Sequence, residues 1–304
     1  MTTRAMGVGA GIGWLRQAVN LGRDNPRAIF GGAALLVLTL LFGAIAMSFL
    51  IVGLAAVMKA DPTTSLAASL VVGLGIVALM AAMMVGYLRL IHAVEQGRPA
   101  SPADVFAGFS DMAASGRAVG FMLLLTLAQY VLIIGLVSVF AHDFGVWYID
   151  NLKASLAGQP ATPMNGLPQG FWTAFVLMMA VGLFSYAVQA LGLGQIANGG
   201  ASVGGAFSDG VSGAARNVVP FLVLLLVLLV AGLVFAVAGM LLALIVGVLA
   251  KLAGAWLVVL VGVPLYLLFV LAMMVVMFGM MYYVWRDICG DGPQPIPTHD
   301  RIEA

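Results

Sequence analysis

Polar and apolar positions along this chain separate over tens of residues rather than within single turns. Six long apolar runs stand out, at residues 28–58, 66–88, 118–141, 171–197, 217–250 and 252–285. No aspartate, glutamate, lysine, arginine or histidine interrupts any of them. A helix crossing about 30 Å of hydrocarbon needs about 20 such residues, so each run predicts a membrane span. Several runs exceed that minimum by about ten residues, which predicts tilting or protrusion into the interface. Little more than Lys251 and Gly254 separates the last two, so a tight turn is expected there.

Between the runs the pattern tightens to a helical period. Trp14, Leu15, Ala18, Leu21 and Gly22 share one face, while Arg16, Asn20 and Arg23 lie off it, before Asn25-Pro26 breaks the helix and Arg27 precedes the first run. Val105, Phe106, Phe109, Met112 and Ala113 form a second stripe, opened by Ser101-Pro102 and Asp104 and ended by Arg117. Val203, Phe207, Val211 and Ala214 form a third, ended by Arg216. The stretch VFAGFSDMAASGR at 105–117 returns as GGAFSDGVSGAAR at 204–216. With Arg27, Arg117 and Arg216 as anchors, the copies are offset by 117 − 27 = 90 and 216 − 117 = 99 residues.

The expected fold class is therefore an all-α polytopic membrane protein, with six transmembrane helices in three repeats, each preceded by a cytoplasmic interfacial amphipathic helix. The repeats span about 12–97, 101–198 and 202–288 within one membrane domain, 1–290. Glycines such as Gly73, Gly75, Gly182, Gly232 and Gly239 suit close helix packing in lipid. The segment 142–170 is the largest outer connection, with Trp147 and Tyr148 at an interface and a flexible PATPMNGLPQG. The tail 291–304 is expected to be disordered and cytoplasmic.

Composition agrees: 63% of the 304 residues are hydrophobic and 8% charged, against about 25% charged in soluble domains. A net charge of +1 with no basic stripe excludes nucleic acid as a partner. The single cysteine, Cys289, forms no internal disulfide. The N-terminus carries four arginines and no apolar core before Ala28, unlike a cleavable signal. Loop charge sets the orientation. With both termini inside, ten arginines (Arg4, Arg16, Arg23, Arg27, Arg89, Arg98, Arg117, Arg216, Arg286 and Arg301) face the cytoplasm, and only Lys59, Lys153 and Lys251 lie outside.

Candidate chemistry is sparse. Ion-coupled transport generally places a titratable group at membrane depth, and these runs have none. Pro264, Gly192 and Gly194 mark candidate kinks. Gln129, Tyr130, Tyr186 and Gln189 are candidates for an interhelical hydrogen-bond set. His142 and Asp143 lack further ligands at metal spacing, and His92 with Glu95 reads as a solvated helix face rather than an acid–base pair. The repeated motif carries the candidate structural or partner residues: Phe109, Asp111 and Arg117, and Phe207, Asp209 and Arg216. Their carboxylates are placed to bond helix ends or arginines of neighbouring repeats, as a clasp. No catalytic, cofactor or metal residue is assigned.

The run GYLRLIHAVEQGRPASPADVFAGF, the later ARNVVPFLVLLL and the ending YYVWRDICG resemble the BPSS-type family of bacterial inner-membrane proteins. More loosely, the chain is similar to the membrane domain of some glycerophosphodiester phosphodiesterases. The resemblance implies a multi-span inner-membrane protein and carries no activity, and no catalytic domain is attached. The expectation is a non-enzymatic protein that binds or organises membrane lipid, or another membrane protein, through its three surface helices. The alternative is a transporter or channel for an uncharged or lipid-like solute.

Overall fold

Helix starts and stops follow local chemistry. The computed structural model describes residues 3–58, 62–156, 167–254, 256 and 258–290. The helices are α1 (Ala10–Val19), α2 (Pro26–Met58), α3 (Pro62–Glu95), α4 (Ala107–Ser110), α5 (Met112–Phe140), α6 (His142–Leu156), α7 (Phe171–Gly199), α8 (Val203–Arg216), α9 (Val218–Ala253) and α10 (Val263–Ile288). A 3-10 turn, Pro102–Phe106, precedes α4, and a π-helical turn, Val258–Gly262, precedes α10. Asn25 opens α2 by accepting from the Ala28 N–H at 3.1 Å, with Pro26 at the first helical position. Gly200, at φ 65°, ends α7 in the left-handed conformation that glycine adopts at least cost.

Six helices, α2, α3, α5, α7, α9 and α10, are long and apolar enough to cross a membrane, so the chain is an all-α polytopic membrane protein. The far connection differs from a plain loop, because His142 to Leu156 form α6, packed back through Phe144 on Phe171. Residues 157–166 of that connection, Lys59 and the tail 291–304 lie outside the described residues.

The main core gathers one end of each span: Ile29 and Leu36 of α2, Met83 and Leu88 of α3, Phe121 of α5, Leu191 of α7, Phe221 of α9 and Trp285 of α10. Toward the other end the spans expose large apolar side chains, among them Phe49, Val71, Ile134, Val176 and Leu233. Lipid is the natural neighbour of such surfaces. A small second cluster, Ala141, Phe144 and Ala174, ties α5, α6 and α7 together there.

The short elements sit on the packed end in cyclic order. The 102–110 segment lies on α2 and α3, α8 lies on α7 and α5, and α1 lies on α10 and α9. Each surface element thus covers the hairpin that precedes it, and the first covers the last. The second helix of each hairpin, α3, α7 and α10, lies innermost, with contacts among all three.

Two expectations change. The 105–117 stretch is not one helix ended by Arg117: the chain breaks at Asp111, and Met112 through Arg117 form the first turns of α5. Its copy does form one helix, α8, capped by the Ser202 hydroxyl and ended at Arg216. The stripes, expected to lie on the membrane surface, also divide: Trp14 and Ala18 of α1, Leu21 just after it, and Val105 are buried in the bundle. Phe109 and Met112 are exposed, whereas Gly108, Ala114 and Ser115 are buried; in α8 the buried residues are Ala206, Gly210, Gly213 and Ala214. Small residues let backbones approach closely, which is how helices gain contact when lipid competes for large side chains. The candidate kinks resolve similarly. Helix α7 runs unbroken through Gly192 and Gly194, against which the rings of Phe121 and Trp285 press, while Pro264 opens α10 after the π-helical turn.

Candidate functional site

Three polar clasps join the innermost helices to the surface elements. Arg89 of α3 donates to Asp111 at 2.7 Å, Gln195 of α7 donates to Asp209 of α8 at 2.9 Å, and Arg286 of α10 donates to Gln17 of α1 at 2.5 Å. The first two join neighbours in sequence, 22 and 14 residues apart, and the third joins residues 269 apart, closing the ring. Each clasp contributes on the order of 1 kcal/mol, and together they fix register rather than supply the bulk of the stability.

Asp111 combines two jobs. Its carboxylate accepts from the Ala114 N–H at 3.0 Å as the cap of α5, and also holds Arg89, whose Nε donates to the Ala197 carbonyl at 2.8 Å. The Ala114 N–H, then Arg89, hold its carboxyl below the ordinary aspartate pKa. Arg117, on α5, donates to the Gly200 carbonyl at 2.8 Å, and Arg216 donates to Thr3 at 3.0 Å. Asn217, fully buried, binds the Met6 N–H at 2.7 Å and the Arg4 carbonyl at 2.9 Å, so the N-terminal segment is stitched to the start of α9.

The buried Trp14 indole donates to Asp287 at 3.0 Å and its ring meets Phe221. Helix α1 is therefore docked into the bundle, not resting on a membrane surface by its tryptophan. Where α3, α7 and α10 converge, Trp285 donates to Gln195 at 3.3 Å, and His92 contacts the Tyr282 hydroxyl at 3.2 Å and the Trp285 ring edge-on at 5.7 Å. Glu95 pairs with Arg286 at 3.7 Å.

Of the six motif residues, Asp111, Asp209, Arg117 and Arg216 all enter polar contacts at this end. Phe109 is exposed beside Phe106, and Phe207 is half-buried against the core. The candidate interhelical set does not assemble: Tyr130 is exposed, and Tyr186 donates to the Met277 carbonyl of α10 at 3.4 Å. Sequence reasoning missed Arg89, Gln195, Arg286 and Gln17 as partners. The recurrence of one long polar side chain near the end of each second span was the available signal.

These polar groups bond one another and the backbone across the packed end, which makes the assembly a brace. Among the described residues no group of three His, Cys, Asp or Glu side chains is placed to hold a metal ion. A lateral groove of about 630 Å³ lies elsewhere, between the far halves of α9 and α10, lined by Phe235, Leu242, Val246, Leu265, Tyr266 and Phe269. No family model, curated protein or solved structure matches this chain.

Proposed function

We propose that this multi-pass membrane protein is a non-enzymatic organiser of the cytoplasmic face of a bacterial inner membrane, binding lipid or a membrane partner there through its three surface elements. One observation carries this reading. Two of the surface elements are two-faced: α1 seats on the bundle through Gly11, Trp14 and Ala18, and the 102–110 segment through Val105 and Gly108, while Ile12 and Val19 of the first and Phe106 and Phe109 of the second, with Met112 at the start of α5, stay uncovered at the arginine-bearing end. Large apolar side chains next to arginines suit insertion at the headgroup boundary. The orientation rests on charge: all nine described arginines belong to segments at the packed end, and Lys153 and Lys251 to the other, favouring N-in and C-in. Membership of the BPSS-type family is proposed on the sequence resemblance alone.

Photo-cross-linking tests it. Ile12→Asp and Phe109→Asp should each cut lipid or partner cross-linking at this face while all six spans stay inserted; unchanged cross-linking overturns the reading. The groove between α9 and α10 favours a second reading, passage of a lipid-like solute along its apolar wall. Proteoliposomes that fail to accelerate movement of a fluorescent phospholipid between leaflets would remove it.

A further inference from the structure

The arginines at the packed end fall into two groups. Arg4 donates to the Gly290 carbonyl, Arg117 to Gly200 and Arg216 to Thr3, while Arg89 and Arg286 serve the clasps. Arg16, Arg23, Arg27 and Arg98 are exposed and make no side-chain hydrogen bond or ion pair among the described residues. The contrast is sharpest at the repeated position that opens each hairpin. Of Arg27, Arg117 and Arg216, two are tied to backbone carbonyls and Arg27 is not.

Three of the free arginines belong to two adjoining segments. Asn25 donates to the Ala100 carbonyl at 3.2 Å, and Gly31 lies against the Pro102 ring, so the turn before α2 and the loop after α3 are joined side by side. Arg23 and Arg27 flank Asn25, and Arg98 stands two residues before Ala100. Two carboxylates belong to these segments: exposed Asp24, and Asp104, which accepts from the Ser101 N–H at 2.7 Å. The balance of the patch stays positive.

What lies below Arg27 identifies the occupant. On α2 the exposed side chains Phe30, Leu38, Leu41 and Ile45 follow Arg27 at intervals that keep one helical face. The stripe runs into a shallow groove of about 320 Å³ formed by Ala44, Ile45, Ser48, Phe49 and Val52. A guanidinium at the boundary above a continuous apolar track matches a phosphate joined to an acyl chain, and a free phosphate would leave the track unused.

We propose that Arg23, Arg27 and Arg98 form a headgroup site for an anionic phospholipid of the adjoining leaflet, its acyl chain lying along Phe30, Leu38, Leu41 and Ile45. This names a ligand for the lipid-binding reading above and rests on it. The full chain is reconstituted with spin-labelled phosphatidylglycerol or phosphatidylcholine, and the relative association of each with the protein is read. The wild type should prefer phosphatidylglycerol, and Arg27→Gln, Arg23→Gln and Arg98→Gln should each weaken that preference about fivefold. Arg27→Lys should retain most of it, and Arg117→Gln, which removes a carbonyl contact, should leave it unchanged. Equal loss with Arg117→Gln, or no preference in the wild type, overturns the site. Competition by millimolar inorganic phosphate would show a free-phosphate site and also overturn it. Ile12→Asp and Phe109→Asp are measured alongside: if they still lower total lipid cross-linking while the preference is absent, only the headgroup site falls.

Discussion

Gly108 lies directly on the backbone of Ala82, so closely that a Cβ at either Gly108 or its neighbour across the contact, Gly86, would overlap a carbonyl of the facing segment. This is where the 102–110 segment is locked onto α3. Backbone cannot swing away as a side chain can, so added volume must push the segment off the bundle. Gly108→Ala should cost about 1–3 kcal/mol and Gly108→Leu more, read from the unfolding midpoint in detergent. Gly116, one turn into α5 with open space around it, is the control: Gly116→Ala should be neutral or stabilise by about 0.5–1 kcal/mol.

The clasp at Asp111 gives a pH signature. Its carboxyl ionises below the ordinary aspartate value in the folded chain, so the unfolded state binds more protons across that window. The stabilisation is complete above the ordinary pKa and is lost as pH falls through the folded one. Asp111→Ala should lower stability by about 1–2 kcal/mol at pH 7, mostly through the lost cap, and the gap to wild type should close in acid. A gap that stays constant down to pH 2 would contradict the assignment.

Helix α1 closes the ring, so its anchor should matter more than its ten-residue length suggests. Trp14→Ala removes a fully buried ring and orphans the Asp287 contact, costing about 3–5 kcal/mol. Limited proteolysis should then cut within residues 3–24 before the spans are released. Trp172, 66% exposed, provides the comparison, and Trp172→Ala should leave the midpoint nearly unchanged.

Cys289 is half-buried, and burial pushes its thiol up to about 11. The reactive thiolate is scarce at neutral pH, so labelling should be slow even in opened membranes and should rise about tenfold per pH unit up to that value. Orientation is better read with Met112→Cys, a position 78% exposed at the packed end. In a cysteine-free background, an impermeant maleimide should label it only after the cells are opened. Labelling of intact cells would reverse the proposed topology.

Much of the architecture was legible in the residues. Six uninterrupted apolar runs are six spans because lipid offers the backbone no partner, and a helix satisfies its own. The repeated FSD motif pointed to an end where Asp111 and Asp209 each meet a residue of the preceding helix. The stripes misled. Phe109 and Met112 of the second stripe are exposed, while Val105 of the same stripe is buried beside Gly108 and Ala114. Hydrophobic periodicity reports only which side avoids water, and at a bilayer boundary both protein and lipid satisfy that demand.

Length and apolarity along the chain therefore determined how many helices cross and that the rest lie at their ends, since those requirements are local. Which hairpin each surface element covers, and that Gln17 meets Arg286 across nearly the whole chain, only the tertiary structure decided. Such pairings depend on where glycine lets two backbones touch and which polar groups then come within bonding distance, and neither is a property of any single stretch.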